Sequence, residues 1–507
     1  MLWTCLVFQP EAHLYHNDFW EHAAAITEWK KDLFNPRNPH LADGSSSARY
    51  MPYFMALTVI SNMFHMNALE TLGFGGIVST GLFLVGAFLF FREYFENDWA
   101  PLVGIIVLTC AWGLSWYWSN VYQLRNIFHV KSYPSFFVFA ATFFYLWIGL
   151  RLLKNQKFIV IKYIFIFLLS SLMFLCHPLT GVFAIFSLCL LVVFSPLATW
   201  TTRLGVIGAA FVGSLVAELW PYFSVWSIVL GKTSSQSFAW LEENSINISR
   251  MKQLYWGHPF YSPLQFMVSL GPALLGIAAW AYLLLQRKHL FIVLGALCMG
   301  LPYLINIFIR IPLGHRFLLY HIFYLHMALI WFVLQFFGPR PRLPKTVKSI
   351  RRQKYSLIIL AFLVLFQIVA SGLELSGRRV TPDFRLVNDL YTAIPSALSE
   401  VSEIVPEDAV IMAPRLIAWP VPTFVSKVVG LKNPNPLVRD LQERDYYTDM
   451  FFSEDMSQGE RLRIIQKYNV DYILVDERYI SRDVFESLQV LGSEEYHVQM
   501  YKVIKVS

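Results

Sequence analysis

Apolar runs recur along the first 372 residues of the chain, separated by short polar segments. Because about 20 consecutive apolar residues suffice for a helix to cross a bilayer, these runs predict membrane spans. We therefore expect a mainly α-helical, polytopic transmembrane bundle of about 10–12 spans. The candidate spans are residues 52–66, 69–91, 100–119, 133–150, 160–175, 180–197, 204–222, 264–286, 289–309, 317–337 and 355–372.

The pattern changes after residue 372, where the apolar runs become short. "DAVIMAP" (408–414) and "VDYILVDE" (470–477) are typical of buried strands, and "HVQMYKVIKV" (497–506) predicts a terminal strand. "SQGERLRIIQKYN" (457–469) predicts a helix. The apolar stripe of that helix consists of Leu462, Ile464, Ile465 and Tyr468.

These patterns predict two domains. The first, 1–372, is a transmembrane domain whose first outer loop covers about residues 11–51. The second, 373–507, is a small extramembrane α/β domain without a Gly-rich phosphate loop or a nucleophile motif.

Composition and charge support this division. The chain is 56% hydrophobic and only 15% charged, whereas soluble domains are about 25% charged. The net charge of +7 separates into +13 before Leu373 and −6 from Leu373 onward. The basic excess lies in short loops, as in "PRPRLPKTVKSIRRQK" (339–354), and therefore predicts a cytoplasmic face and no nucleic-acid partner.

With residues 339–354 inside, the chain is an integral multi-pass membrane protein with its C-terminal domain on the extracytoplasmic side, periplasmic or lumenal. The loops 223–262 and 310–316 and the turn at 176–181 then also lie outside. The first outer loop lies outside only if one early segment does not cross. The short segment 52–66 is the best candidate for this exception. The opening "MLWTCLVFQP" resembles the end of a further span.

The segment "HLYHNDFWEHAAAITEW" (13–29) contains the densest group of titratable residues: His16, Asp18, Glu21 and His22, beside Asn17. On a helix, Asp18, Glu21 and His22 share one face. They are either catalytic groups or the polar face of a helix in the headgroup region.

Three further segments supply candidate binding residues on the same side of the membrane. "RIPLGHRFLLYHIF" (310–323) provides Arg310, His315 and Arg316, and arginine suits a phosphate in charge and geometry. "CHPLTG" provides His177, in a turn or at a kink in one long helix. Tyr50 ends a polar loop that runs into a helix begun by Pro52.

The five cysteines all lie in apolar runs, with neither disulfide nor metal-ligand spacing. No cofactor is expected, and a divalent metal, although possible, is unsupported.

The order of these segments resembles the GT-C superfamily of polytopic glycosyltransferases, which includes protein mannosyltransferases, aminoarabinose transferases and oligosaccharyltransferases. The resemblance lies in "NDFWEHAAAITEW", "RYMPYF", "PLGHRF" and "IIQKYNVDYILVDERY". It implies inverting transfer of a sugar from a polyprenyl-phosphate-linked donor to a glycan, lipid or protein acceptor, in contact with membrane lipid.

The resemblance also implies roles for the candidate residues. Asp18 would be the general base, with Glu21 or His22 tuning its pKa or orienting the acceptor. A carboxylate beside the bilayer and a second acid is expected to have a raised pKa, which suits a base near neutral pH. Arg316, with Arg310 or His315, would hold the phosphate, and His177 and Tyr50 would lie nearby. The chain lacks the "DxD" and "WWD" patterns of the oligosaccharyltransferases, so a metal has no support.

Two other functions remain open at this stage. A transporter or flippase would place ionisable groups near the bilayer midplane, where Glu218 is the main example here. A polysaccharide polymerase or ligase would use the loop 223–262. Its candidate residues there are Glu242, Glu243, Arg250 and His258.

Overall fold

The computed structural model describes residues 18–113, 122–155, 157–229, 267, 270–308, 316–337, 354–355, 357–369, 394–430, 437–476 and 480–507. The chain forms two compact units. The described parts of the first unit lie within 18–74, 221–229 and 394–507, and those of the second within 75–220 and 267–369. The predicted division at residue 372 concerns the membrane boundary, which these units do not define, so it stays a prediction.

The first unit begins with two helices of equal length, α1 (Phe19–Lys31) and α2 (Pro52–Phe64). Proline at the first position of α2 fits its fixed φ, and the helix ends at His65 in the left-handed conformation, with φ 55°. At 13 residues, α2 is about 20 Å long and is too short to cross the hydrocarbon core alone.

A longer helix, α3 (Ala68–Phe95), leads into the second unit. That unit continues with α4 (Ala100–Cys110), α5 (Leu124–Val130), α6 (Pro134–Lys154), α7 (Ile159–Cys176), α8 (Pro178–Val193) and α9 (Trp200–Val216). The short α10 (Val225–Val229) belongs to the first unit, and α11 (Leu274–Leu285), α12 (Leu290–Phe308), α13 (Phe317–Phe337) and α14 (Leu357–Val369) to the second.

Among the described residues, five helices are long and apolar enough to cross a membrane, and six apolar helices are shorter. Each predicted span overlaps one of these helices, which confirms the polytopic helical fold. One end was predicted wrongly: the span expected at 100–119 stops at Cys110. Its end is held by a contact distant in sequence, because Nε2 of His326 in α13 hydrogen-bonds the carbonyl of Ala111 at 2.9 Å.

The second unit is built around α13, most of which is buried. Polar side chains join its helices: Ser187 hydrogen-bonds Tyr324 at 2.7 Å, and Tyr145 hydrogen-bonds Ser170 at 2.6 Å. Gly295 lies so close to the Tyr324 ring that any side chain there would displace it. Small residues and buried hydrogen bonds are the usual means of helix association within a membrane.

The C-terminal part of the first unit is α/β, as predicted. Its sheet has the order β2-β1-β3-β5-β4, with β2, β1 and β3 parallel and β5 and β4 antiparallel. The strands are β1 (Val410–Met412), β2 (Lys427–Val428), β3 (Tyr472–Val475), β4 (Gly492–Val498) and β5 (Tyr501–Val506). The helices are α15 (394–404), α16 (Arg415–Ala418), α17 (Val421–Phe424), α18 (Leu441–Phe451), α19 (Gln458–Tyr468) and α20 (Arg482–Gln489).

Two details of the C-terminal prediction were wrong. Residues 497–506 are not one strand, because the chain turns between β4 and β5 at Gln499, where φ is 50°. In α19, Leu462 is exposed, whereas Arg461 is 3% exposed and donates to the carbonyls of Phe451 and Ser453. The buried guanidinium is accommodated because its N–H groups find backbone acceptors.

The start of the chain is joined to the C-terminal sheet within the first unit. The backbone N–H of Val428 donates to the carbonyl of His40 at 2.8 Å, so the polar loop extends the edge of β2. The hydroxyl of Thr423 donates to the carbonyl of Trp20 at 3.2 Å. These bonds fix α1 and the loop after it on the α/β domain.

Candidate active site

Asp18, Glu21 and Arg49 form what we call the carboxylate cluster. Asp18 precedes the first turn of α1 and Glu21 lies within that turn. Nη1 of Arg49 contacts Oδ2 of Asp18 at 3.1 Å, and Nη2 of Arg49 pairs with Oε2 of Glu21. One guanidinium therefore bridges the two acids.

The two carboxylates differ in their access to solvent. The side chain of Asp18 is 39% exposed and that of Glu21 is 8% exposed. Burial acts to lower the pKa of Arg49, but its ion pairs with Asp18 and Glu21 outweigh burial and raise that pKa above its ordinary value. Arg49 therefore carries a fixed positive charge.

Sequence reasoning missed Arg49. It is the sole Lys or Arg between Arg37 and Arg92, and it lies three residues before the proline that begins α2. The prediction of a raised pKa for Asp18 took into account only burial and the second acid. It stays a prediction. The structure adds a cation, Arg49, between the two acids, and the sequence pattern did not reveal it.

His22 lies on α1 one residue after Glu21 and is buried. Its ring packs against Phe54 of α2, with ring centroids 4.6 Å apart. This contact orients α1 relative to α2. His16 and Asn17 lie outside the described residues.

Tyr50 is buried, and its hydroxyl donates to the carbonyl of Arg37. Its ring centroid is 4.9 Å from that of Trp29 and 5.9 Å from that of Tyr222. Burial raises the pKa of Tyr50, with smaller contributions from Glu28 and Tyr222, so the hydroxyl stays protonated.

In the second unit, His177 joins α7 to α8 in an extended conformation, with φ −156°. This supports the turn over a single kinked helix. Nδ1 of His177 accepts from the backbone N–H of Thr180 at 3.3 Å and hydrogen-bonds its hydroxyl at 2.8 Å. The same hydroxyl hydrogen-bonds Tyr320 of α13 at 2.9 Å. His177 therefore caps α8 and is linked to α13.

Arg316 immediately precedes α13 and is half-buried. Its Nε–H is buried and has no hydrogen-bond partner within the described part of the chain. Buried donors are nearly always paired, so this one marks a place for a further acceptor. Arg310 and His315 lie outside the described residues, as do Glu242, Glu243, Arg250 and His258.

Lys131 is a second residue that sequence reasoning missed. It lies between α5 and α6, is 2% exposed, and packs its side chain closely against Gly76. Burial lowers the pKa of Lys131 to about 8. A buried lysine of perturbed pKa is a functional candidate, and the signal for it was a cation three residues before the proline that begins the apolar helix α6.

Within the described ranges, no group of three or more His, Cys, Asp or Glu side chains is arranged to hold a metal ion. The expectation that no metal is needed stays a prediction.

These features define a class: a polytopic helical membrane protein with an α/β domain and a carboxylate cluster at the start of a helix that is not among the candidate spans. Structural comparison then gives a particular protein of similar fold. The chain is similar to ArnT from Cupriavidus metallidurans in the apo state, with a TM-score of 0.51 and 11% identity, covering 99% of this chain and 96% of that one.

The structure of the same ArnT bound to undecaprenyl phosphate gives a TM-score of 0.46 at the same identity and coverage. No family model and no curated protein matches the chain. The similarity to apo ArnT is one of fold, and it confirms the predicted GT-C type architecture.

Proposed function

We propose that the protein is a membrane glycosyltransferase that transfers a sugar from a polyprenyl-phosphate-linked donor to an extracytoplasmic acceptor. The sequence resemblance to GT-C enzymes and the whole-chain similarity to the fold of ArnT support the class. The carboxylate cluster supports the chemistry, because it offers a solvent-accessible acid beside a fixed cation.

The reaction is an inverting displacement in one step. An acceptor hydroxyl attacks the anomeric carbon of the donor sugar, and the bond from that carbon to the phosphate oxygen breaks. The hydroxyl proton passes to a carboxylate, and the polyprenyl phosphate leaves with the electron pair. A cation near the leaving phosphate stabilises the charge that develops there.

The observation that carries the assignment of the base is the difference in exposure within the cluster. Asp18 is the accessible acid, whereas Glu21 is buried and paired with Arg49. Asp18 therefore takes the role of general base. Glu21 positions Arg49, and Arg49 in turn holds Asp18. Arg316, with its unpaired buried donor, takes the role of phosphate ligand.

The test is sugar transfer by an Asp18→Asn variant in proteoliposomes that contain a labelled polyprenyl-phosphate sugar and an envelope extract as acceptor. Because the variant lacks the base, we expect the rate of sugar transfer to fall about 10²- to 10⁴-fold while the protein still folds. Asp98→Asn, which changes an exposed acid paired with Arg92, is the matched control and retains full activity. Full activity of Asp18→Asn would remove Asp18 as the base and make Glu21→Gln the next variant.

A further inference from the structure

A cavity of about 970 Å³ lies within the first unit, between the end of α1, the loop that follows it and the edge of the α/β domain. Binding cavities for small molecules measure about 300–1,000 Å³, so this one admits a ligand of several rings. Acids, bases, amides, hydroxyls and aromatic rings all contribute to its lining.

The wall formed by the loop is held in shape by its own side chains. Oδ1 of Asp32 accepts the backbone N–H groups of Phe34 and Asn35, both at 2.9 Å, and these bonds lower the pKa of Asp32. The side-chain amide of Asn38 donates to the hydroxyl of Ser45 at 2.7 Å. Such side-chain bonds fix turns, so the cavity is formed before a ligand arrives.

Four polar side chains of the lining do not take part in such bonds. Asn35, Arg37, Ser46 and Asp408 make no side-chain hydrogen bond or ion pair within the described part of the chain. They comprise one cation, one anion, one amide and one hydroxyl, with no net charge. A site for phosphate or for a polyanion would instead show an excess of cations.

Aromatic rings complete the lining. Phe34 is 83% exposed, and Tyr222 and Tyr50 also contribute to the cavity. The hydroxyl of Tyr222 is occupied, because it donates to the carbonyl of Leu33 at 2.8 Å. An aromatic face beside mixed donors and acceptors suits a sugar, which has one apolar C–H face and a rim of hydroxyl groups.

We propose that this cavity binds an uncharged oligosaccharide, and that this saccharide is the acceptor or the glycan part of the acceptor. The second half of the statement rests on the proposed function. It is supported by the chain itself: Tyr50 lines the cavity and follows Arg49, which holds Asp18.

The test is saturation-transfer NMR on the full-length protein in phosphatidylcholine nanodiscs, free of sugar-headed detergent. Chitotriose, maltotriose and mannotriose are the probes. We expect at least one to bind, and Asp408→Asn and Phe34→Ala each to weaken that binding about tenfold. Asp455→Asn and Tyr446→Ala are the matched controls, since both residues are exposed in the same unit and lie outside the lining.

Absence of binding for all three probes overturns the proposal, as does binding that the two cavity variants leave unchanged. Asp18→Asn separates this proposal from the proposed function. If Asp18→Asn binds the probe as the wild type does and also keeps full transfer activity, the cavity assignment stands and the assigned base fails. If the probes do not bind although Asp18→Asn abolishes transfer, the cavity assignment alone fails.

Discussion

Nζ of Lys427 in β2 donates to Oε2 of Glu28 in α1 at 2.7 Å, across 399 positions of sequence. The two side chains are 12% and 7% exposed. The same ammonium donates to the carbonyl of Asn38 at 2.6 Å. A single, largely buried lysine thus joins the helix of the candidate base, the loop that lines the cavity and the edge strand of the α/β sheet.

Lys427→Met is expected to destabilise the protein by about 3 kcal/mol, because the buried carboxylate of Glu28 then keeps only the longer, 3.7 Å contact with Lys31. Glu28→Gln combined with Lys427→Met should restore most of this loss, since no buried charge then remains. Thermal unfolding of the purified protein measures both. The exposed pair of Lys505 and Glu494 is the control, and Lys505→Met should change stability by less than about 1 kcal/mol.

The environment of His40 indicates that the stability of the first unit falls at acid pH. Both ring nitrogens are buried and lack a hydrogen-bond partner in the described ranges. Burial, together with the charges of Arg49 and Lys427, lowers the pKa of His40 from its ordinary 6.5 to about 3. The unfolded chain therefore binds a proton that the folded chain does not.

It follows that the contribution of His40 to stability is complete above pH 6.5 and is lost as the pH falls toward 3. The expected loss is about 1.4 kcal/mol per pH unit across this window. His40→Phe should flatten the dependence and match or exceed wild-type stability at pH 7. The exposed His497→Gln serves as control, and a His40→Phe variant with an unchanged pH profile would contradict the assignment.

Arg49→Ala should lower sugar transfer about 100-fold, because both carboxylates lose the guanidinium that positions them. The variant should also lose activity at a higher pH on the acid side, since two adjacent acids without a cation between them retain a proton more readily. The activity of Arg49→Lys should lie between those of Arg49→Ala and the wild type, because lysine keeps the positive charge but lacks the planar guanidinium that can bind two carboxylates. A pH–rate profile measures this, and Arg92→Ala, at an exposed ion pair, should match the wild type.

Arg316→Met should raise the KM for the polyprenyl-phosphate donor about 10- to 100-fold and leave the KM for the acceptor unchanged. The reason is the loss of a charge-assisted hydrogen bond to the phosphate. Steady-state kinetics with varied donor and acceptor separate the two constants. Arg287→Met is the control. An acceptor-only effect would instead place Arg316 on the acceptor side.

The topology prediction can be checked in intact cells. In a cysteine-free background, a cysteine at Ser507 should react with a membrane-impermeant maleimide, because the C-terminal domain is expected outside. A cysteine at Lys288 should react only after the membrane is permeabilised. The reverse pattern would invert the orientation.

The helical architecture could be predicted from the sequence because long apolar runs have few alternative structures in a membrane protein. The ends of helices were less predictable, since they depend on distant partners. Ala111 illustrates this: its carbonyl is satisfied by His326, 215 positions away. Leu462 and Arg461 also show this dependence on distant partners. Helical periodicity cannot show that a buried guanidinium will find backbone carbonyls that accept its hydrogen bonds.

The candidate site was predictable only where its residues are close in sequence. Asp18 and Glu21 lie three positions apart at the start of α1, so their spacing alone brought them together. Arg49 reaches them through a turn of the chain between α1 and α2, which no local pattern encodes. The cavity depends on side chains from both ends of the sequence, such as Asn35 and Asp408, and only the folded first unit brings them to one lining.

The bond from Val428 to the carbonyl of His40 has a consequence for biosynthesis. The segment that carries Asp18 is made early, but the strand that fixes the loop after it is made about 400 residues later. The many membrane helices between them must be inserted in the meantime. Contacts of such long sequence separation form slowly, so the loop after α1 would complete its fold only after β2 has been synthesised. A chain truncated before β2 is therefore expected to lack the bond that fixes this loop.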